Sequence, residues 1–166
     1  MIMDAVRYND KMQTIEGGPN PGLLRPPIIF LASILLGIAL NYAWPLHFVP
    51  RSVRLLGPAV TACAVVLFLA SYREFRRAGT SVRGSTRSTT IVQTGPFRFS
   101  RNPIYLAFIL LVLGLSVWMN DLWLLVTLVP AAGVIAAVVI PREERFLERN
   151  FHDQYSSYRA RVRRWL

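Results

Sequence analysis

A chain of 166 residues that is 53% hydrophobic with a positive mean hydropathy carries more apolar surface than one small soluble core needs. Its net charge of +10 comes almost wholly from arginine, Lys11 being the lone lysine, and charge alone admits a nucleic acid partner. The arginines flank apolar stretches, however, so anionic membrane lipids are the expected partner and nucleic acid is not.

Residues 1–26 form a polar leader without a recognisable motif, read as a flexible or membrane-surface arm. The leader has neither a strongly basic start nor a small-residue cleavage site, so the first apolar stretch is expected to stay as a helix and not to leave as a signal peptide. From residue 27 to 166 the chain reads as one membrane domain. A hydrocarbon layer of roughly 30 Å takes about 20 helical residues, and four stretches meet that need: Pro27 to Leu46, Leu55 to Tyr72, Pro103 to Met119 and Leu122 to Ile140. Only Asn120-Asp121 separates the last two, which forces an antiparallel hairpin. No alternating strands suggest a barrel. The expected fold is an all-α integral membrane protein of four transmembrane helices with an amphipathic cytoplasmic helix over 141–165.

Basic residues are retained on the cytoplasmic side of a membrane. Loop 73–102 holds Arg73, Arg76, Arg77, Arg83, Arg87, Arg98 and Arg101, and the tail holds Arg142, Arg145, Arg149, Arg159, Arg161, Arg163 and Arg164. The opposite side offers Arg51, Arg54 and Asp121, so both termini are expected in the cytoplasm, and in a bacterium the host is the inner membrane. Cys63 has no second cysteine to pair with, and His47 and His152 fall on opposite sides. Neither a disulfide framework nor a metal site is expected.

Between the second and third spans stands Gly95-Pro96-Phe97-Arg98-Phe99-Ser100-Arg101-Asn102-Pro103-Ile104-Tyr105. Gly95-Pro96 breaks the chain, and Asn102-Pro103 is a strong helix start, since asparagine caps free N–H groups and proline at the first position forfeits no bond. Tyr105 then lies in the first turn. A helix start with its positive dipole end suits a carboxylate or phosphate; alternatively Arg98 and Arg101 merely anchor the helix to headgroups.

In the tail, Leu147, Phe151, Tyr155, Tyr158, Val162 and Trp165 recur at spacings of three and four, one apolar stripe on a continuous helix. On that wheel Glu143 and Glu144 flank Leu147, while Arg142, Arg145 and Arg149 fall on the far face and Glu148 projects away. Two carboxylates turned inward need a cation or several donors. Arg98, Arg101 or a cationic ligand are the candidates, and an ion pair fastening the tail to the 95–105 loop serves equally well. The aromatic stripe reads as packing or interfacial anchoring.

Taken in order, Phe75, Gly79-Thr80, the Thr94 to Tyr105 run, Gly114, and Glu143-Glu144 followed by Leu147, Phe151, Tyr155 and Tyr158 resemble the isoprenylcysteine carboxyl methyltransferase and phospholipid methyltransferase superfamily, over roughly residues 72–166. The resemblance implies a small helical membrane enzyme that uses S-adenosylmethionine. It places the cofactor among Gly95, Pro96, Arg98, Arg101, Asn102, Pro103, Tyr105, Gly114, Glu143 and Glu144, with the methyl acceptor a lipid, prenylated or other hydrophobic molecule entering sideways. Glu144 is then a conceivable base for an amine acceptor and Arg142 a positioning group for a carboxylate acceptor. Where members often have Arg-His-Pro this chain has Arg101-Asn102-Pro103, which donates a hydrogen bond but does not titrate near neutrality. Where they often have Phe-Gly it has Phe151-His152, which puts the helix ending there in question.

Two other classes fit less of the sequence. A membrane reductase of isoprenoids or sterols would use a nicotinamide cofactor, but no dinucleotide glycine fingerprint is present. A non-catalytic membrane module would use the basic face alone and leave both motif halves unexplained.

Overall fold

The computed structural model describes residues 25–78 and 91–166, and every regular element among them is helical. Most of the expected N-terminal arm, and Gly79, Thr80, Arg83 and Arg87 of the basic loop, lie outside the described residues. Helix α1 spans Pro26–Ala43, α2 Arg51–Arg54, α3 Leu56–Arg77, α4 Pro103–Met119 and α5 Leu122–Val134; a wide π-type turn, Ile135–Val139, leads into α6, Ile140–Arg161. Three stretches, Pro26–Ala43, Arg51–Arg77 and Leu122–Arg161, are long and apolar enough to cross a membrane, and α4 is a shorter apolar helix. The chain is a membrane protein.

The expected boundaries hold best where the punctuation is strongest. Helix α4 runs over the predicted residues. Helix α1 ends at Ala43, three residues before the expected Leu46, because Trp44 precedes Pro45 and a residue before proline is pushed out of the helical region. Helix α3 continues past Tyr72 to Arg77, since nothing in Arg73-Glu74-Phe75-Arg76-Arg77 breaks a helix. The tail helix expected from 141 starts at Ile140, but no break separates it from the fourth apolar stretch: Leu122–Arg161 is one continuous helical run of 40 residues. Pro141 brings no N–H and its ring crowds the preceding turn, and the wide turn at Ile135–Val139 lies immediately before it, where a widened turn accommodates the missing bond.

Helix α4 packs between α3 and α5, and α1 lies against α5. Phe30, Val112, Leu124, Ile135, Val139 and Ile140 form the closed centre, with Phe30 stacked on Phe108 at 5.2 Å. Leu31, Leu35 and Leu36 of α1 and Val65, Val66 and Leu69 of α3 face outward. The tightest crossing is α3 on α4: a Cβ at Gly114 would stand 2.5 Å from the Thr61 hydroxyl and 2.7 Å from its backbone nitrogen, and one at Gly57 would stand 2.5 Å from the Trp118 nitrogen. Small residues here let two backbones meet.

The hairpin expected at Asn120-Asp121 is present. Asn120 takes a left-handed conformation at φ 56°, and its side-chain oxygen accepts from the Phe48 and Val49 amides at 2.9 Å each. Asp121 caps α5 through Leu124 N–H. Leu46 accepts from the Leu122 amide, and Trp44 from the Trp123 indole at 2.7 Å, so the 44–50 loop is stitched over the tip.

The continuous tail helix expected over 141–165 is bent at His152, whose φ of 24° and ψ of −102° are not helical, and it ends at Arg161, with Val162 extended. The apolar stripe is therefore not a single straight line. Glycine tolerates a positive φ better than any residue with a β-carbon, which is strained here by about 1 kcal/mol. The His152 side chain is exposed. His152→Gly is expected to raise the thermal midpoint in detergent by a few degrees, and His152→Val to lower it.

Candidate active site

The site is built where the start of α4, the first two turns of α6 and the chain beyond α6 converge. Gly95, at φ 58°, opens a 3-10 turn, Gly95–Arg98. A Cβ at Gly95 would stand 2.8 Å from Cγ of Glu74, whose carboxylate accepts from the Thr94 hydroxyl and pairs with Arg77 at 3.0 Å. Phe97 is buried edge-on against Phe75 at 5.1 Å, and its carbonyl accepts from the Tyr158 hydroxyl at 2.8 Å. Residues 94–98 thus form a folded clasp between α3 and α6.

Past the clasp, Arg101 extends its guanidinium beneath α6. Nη1 lies 3.2 Å from Glu144 Oε1 and donates to the Tyr155 hydroxyl at 3.2 Å. Glu144 also receives Arg164, with Nη2 2.6 Å from Oε2 and Nε 3.2 Å from Oε1. Glu144 is 9% exposed, so these two cations meet its need for charge compensation. One turn away on α4, the Tyr105 hydroxyl donates to Glu143 Oε1 at 2.6 Å. Its hydrogen bonds with Glu144 push the Arg164 guanidinium above its ordinary range, so it stays a cation at any physiological pH.

Val162 to Leu166 returns across the start of α4. The Arg163 carbonyl accepts from the Arg101 amide at 2.9 Å. The Arg164 carbonyl accepts from the Asn102 side chain at 2.9 Å and from the Ser100 hydroxyl at 3.3 Å. Trp165 packs on the apolar core. Asn102 sits at the expected cap position, but its side chain makes no cap; it holds the returning chain instead.

Of the residues singled out from the sequence, the fold brings Arg101, Asn102, Pro103, Tyr105, Glu143 and Glu144 together. Gly95 and Pro96 lie on the clasp, where they shape the loop. Arg98 is exposed and takes no part in the cluster. Gly114 is not at the cluster: it fills the α3–α4 crossing, where the Thr61 backbone leaves no room for anything larger. Arg142 is exposed, two residues and so about 200° around α6 from Glu144, which takes it away from the position expected of a catalytic group. Glu144 itself has both oxygens engaged by guanidinium groups, an arrangement that binds charge and does not serve a base.

Two contributors are absent from the sequence reading. Glu74 is the one acid in the basic run Arg73 to Arg77, and that contrast was its signal. Arg164 lies twenty residues beyond Glu144 in an arginine-rich tail, a separation that no helical period connects.

The phospholipid methyltransferase family model matches residues 52–154, which contain α3, the clasp, the start of α4 and both glutamates. A relative from Haemophilus influenzae, an uncharacterized protein, is 35% identical over 63 residues, which are 38% of this chain and all of the relative. No solved structure is similar to the chain. With more than half of its length matched, and with the matched stretch carrying the Arg101, Tyr105, Glu143 and Glu144 cluster, the chain belongs to the phospholipid methyltransferase family, within the isoprenylcysteine carboxyl and phospholipid methyltransferase superfamily.

Proposed function

We propose that this protein is an S-adenosylmethionine-dependent methyltransferase acting on a lipid, prenylated or other hydrophobic acceptor at the cytoplasmic face of the membrane. The observation that carries this reading is the buried Arg101–Glu144 pair beside Tyr105–Glu143, at a helix start inside the family match. The donor set suits the cofactor. Arg101 Nε is buried without a hydrogen-bond partner, an unspent donor for an anionic oxygen, and the glutamates suit an ammonium or ribose hydroxyls.

In this reading Glu144 and Glu143 hold the cationic and hydroxyl groups, and Arg101 with the donors around Asn102 holds the carboxylate. Bound S-adenosylmethionine supplies a methyl group on a sulfonium, whose positive charge is lost as the methyl moves to a nucleophile. The chain's part is alignment and exclusion of water; no covalent intermediate with a side chain is needed. The acceptor enters between helices at headgroup level. Four crossings with both termini cytoplasmic fit the arginine distribution, α4 spanning about 26 Å at about 1.5 Å per residue. Exposed Arg98, Arg142, Arg145 and Arg149 then face anionic headgroups.

Calorimetric titration of the detergent-purified protein with S-adenosylhomocysteine tests this, with a reduced nicotinamide dinucleotide as the parallel ligand. Saturable binding of the first alone is expected. Binding of the dinucleotide would point to a reductase, and binding of neither to a non-catalytic module.

A further inference from the structure

Resting on that reading, we propose that residues 162–166 form a displaceable strap that occupies the cofactor's amino-acid subsite in the ligand-free protein. The strap presents both charges of an amino acid to the site. Its cationic end is the Arg164 guanidinium, held by both oxygens of Glu144 at 2.6 and 3.2 Å. Its oxygen-bearing end is the pair of carbonyls of Arg163 and Arg164, which take the Arg101 amide, the Asn102 side-chain amide and the Ser100 hydroxyl. An ammonium on Glu144 and a carboxylate on the donors of 100–102 would use the same partners, so strap and ligand compete atom for atom.

Three further features fit a strap that moves. The helix ends at Arg161 and Val162 is extended, so the segment hinges at a defined point. The Arg164 side chain is 40% exposed, while Glu144 and Arg101 beneath it are each 11% exposed, so the lid is the wet partner. The strap also lies beyond residue 154, where the family match ends. When Arg164 leaves, Arg101 remains 3.2 Å from Glu144, so the buried carboxylate is never without a cation.

Occupancy of the site by the strap reduces the apparent affinity by the fraction of molecules that are open. If about nine molecules in ten are closed, removing the Arg164 charge tightens binding about tenfold. The experiment titrates the full chain and its Arg164→Gln, Arg149→Gln and Trp165→Ala variants with S-adenosylhomocysteine and with 5′-methylthioadenosine, which lacks the amino-acid end. Hydrogen exchange is followed at the Arg101 amide and over 162–166.

Arg164→Gln is expected to bind S-adenosylhomocysteine up to about tenfold more tightly. Trp165→Ala, which frees the apolar anchor without touching a charge, is expected to shift the same way, and Arg149→Gln, an exposed charge of α6 outside the strap, to match the unaltered protein. Methylthioadenosine affinity is expected to stay the same throughout. S-adenosylhomocysteine is expected to accelerate exchange over 162–166. Equal or weaker binding by Arg164→Gln, with exchange over the strap slowed by ligand, would overturn the proposal and make the strap a fixed wall of the site. Failure of every form to bind S-adenosylhomocysteine would instead remove the methyltransferase reading itself, and the strap's role with it.

Discussion

Glu144→Gln is expected to weaken S-adenosylhomocysteine binding by on the order of 100-fold, while Glu148→Gln leaves it unchanged. The substitution keeps the shape of the side chain and removes its charge, so in the proposed reading the ligand's ammonium, once it has replaced Arg164 at 2.6 Å from Glu144, meets no anion there. Truncating one partner of a buried, hydrogen-bonded charge pair costs about 2–5 kcal/mol, and the lower part of that range is already about 100-fold in affinity. Glu148 lies one turn farther along α6, 48% exposed and 3.6 Å from a half-exposed Arg159, a pair worth about 0–1 kcal/mol. Arg76→Gln, which removes an exposed charge near the site but outside it, controls for general loss of basicity. Calorimetry on the four proteins decides the matter: equal small losses for Glu144→Gln and Glu148→Gln would make the buried cluster a structural fastener.

Gly114→Val is expected to be strongly destabilising, lowering the thermal midpoint in detergent by about ten degrees, about 3 kcal/mol. The new Cβ would lie 2.7 Å from the Thr61 backbone nitrogen, which cannot rotate away as a side chain would, and the Gly57 carbonyl stands 3.1 Å off on the same side. Helices α3 and α4 must therefore separate. Gly133→Val provides the comparison, because nothing lies within 4 Å of a Cβ at Gly133, and its midpoint is expected to stay within about a degree or two of the unaltered protein. A small shift at Gly114 would mean that the crossing is loose.

The parts of this molecule legible in the sequence are those governed by local chemistry. Helix α4 is bounded by Asn102-Pro103 and Asn120-Asp121, and both ends can be read without knowing what they touch. The inward turn of Glu144 follows from a helical wheel because Glu143, Glu144 and Leu147 all precede the bend at His152. The bend itself is marked, since the chain places histidine where related chains often place glycine. Less legible is anything that depends on the chain returning to itself. Arg164 reads as one more basic residue of the tail until Val162 turns the chain back over α4, and the Asn102 side chain reads as a cap until that returning carbonyl claims it. Gly114 is equally ambiguous in sequence, because close approach of a cofactor and close approach of a helix both demand a residue without a side chain. Pro141 misleads in the other direction, reading as a helix boundary where a wide turn absorbs it.

The helical stretch from Leu122 to Arg161, bent only at His152, has a mechanical consequence. The part before the bend, residues 122–151, at about 1.5 Å per residue makes an element of about 45 Å, longer than a hydrocarbon layer of roughly 30 Å is thick. It is gripped near one end, where Leu124 presses on Gly37 of α1, and gripped again toward the other, where Glu143 and Glu144 are tied to α4 and its flanking loop. With both grips engaged this element cannot slide to match a thicker or thinner bilayer. Mismatch must be taken up as tilt of the whole bundle or at the Ile135–Val139 turn, where the hydrogen-bond ladder is already out of register. That turn ends four residues before Glu143, so a change of angle there would act directly on the spacing between α6 and the start of α4.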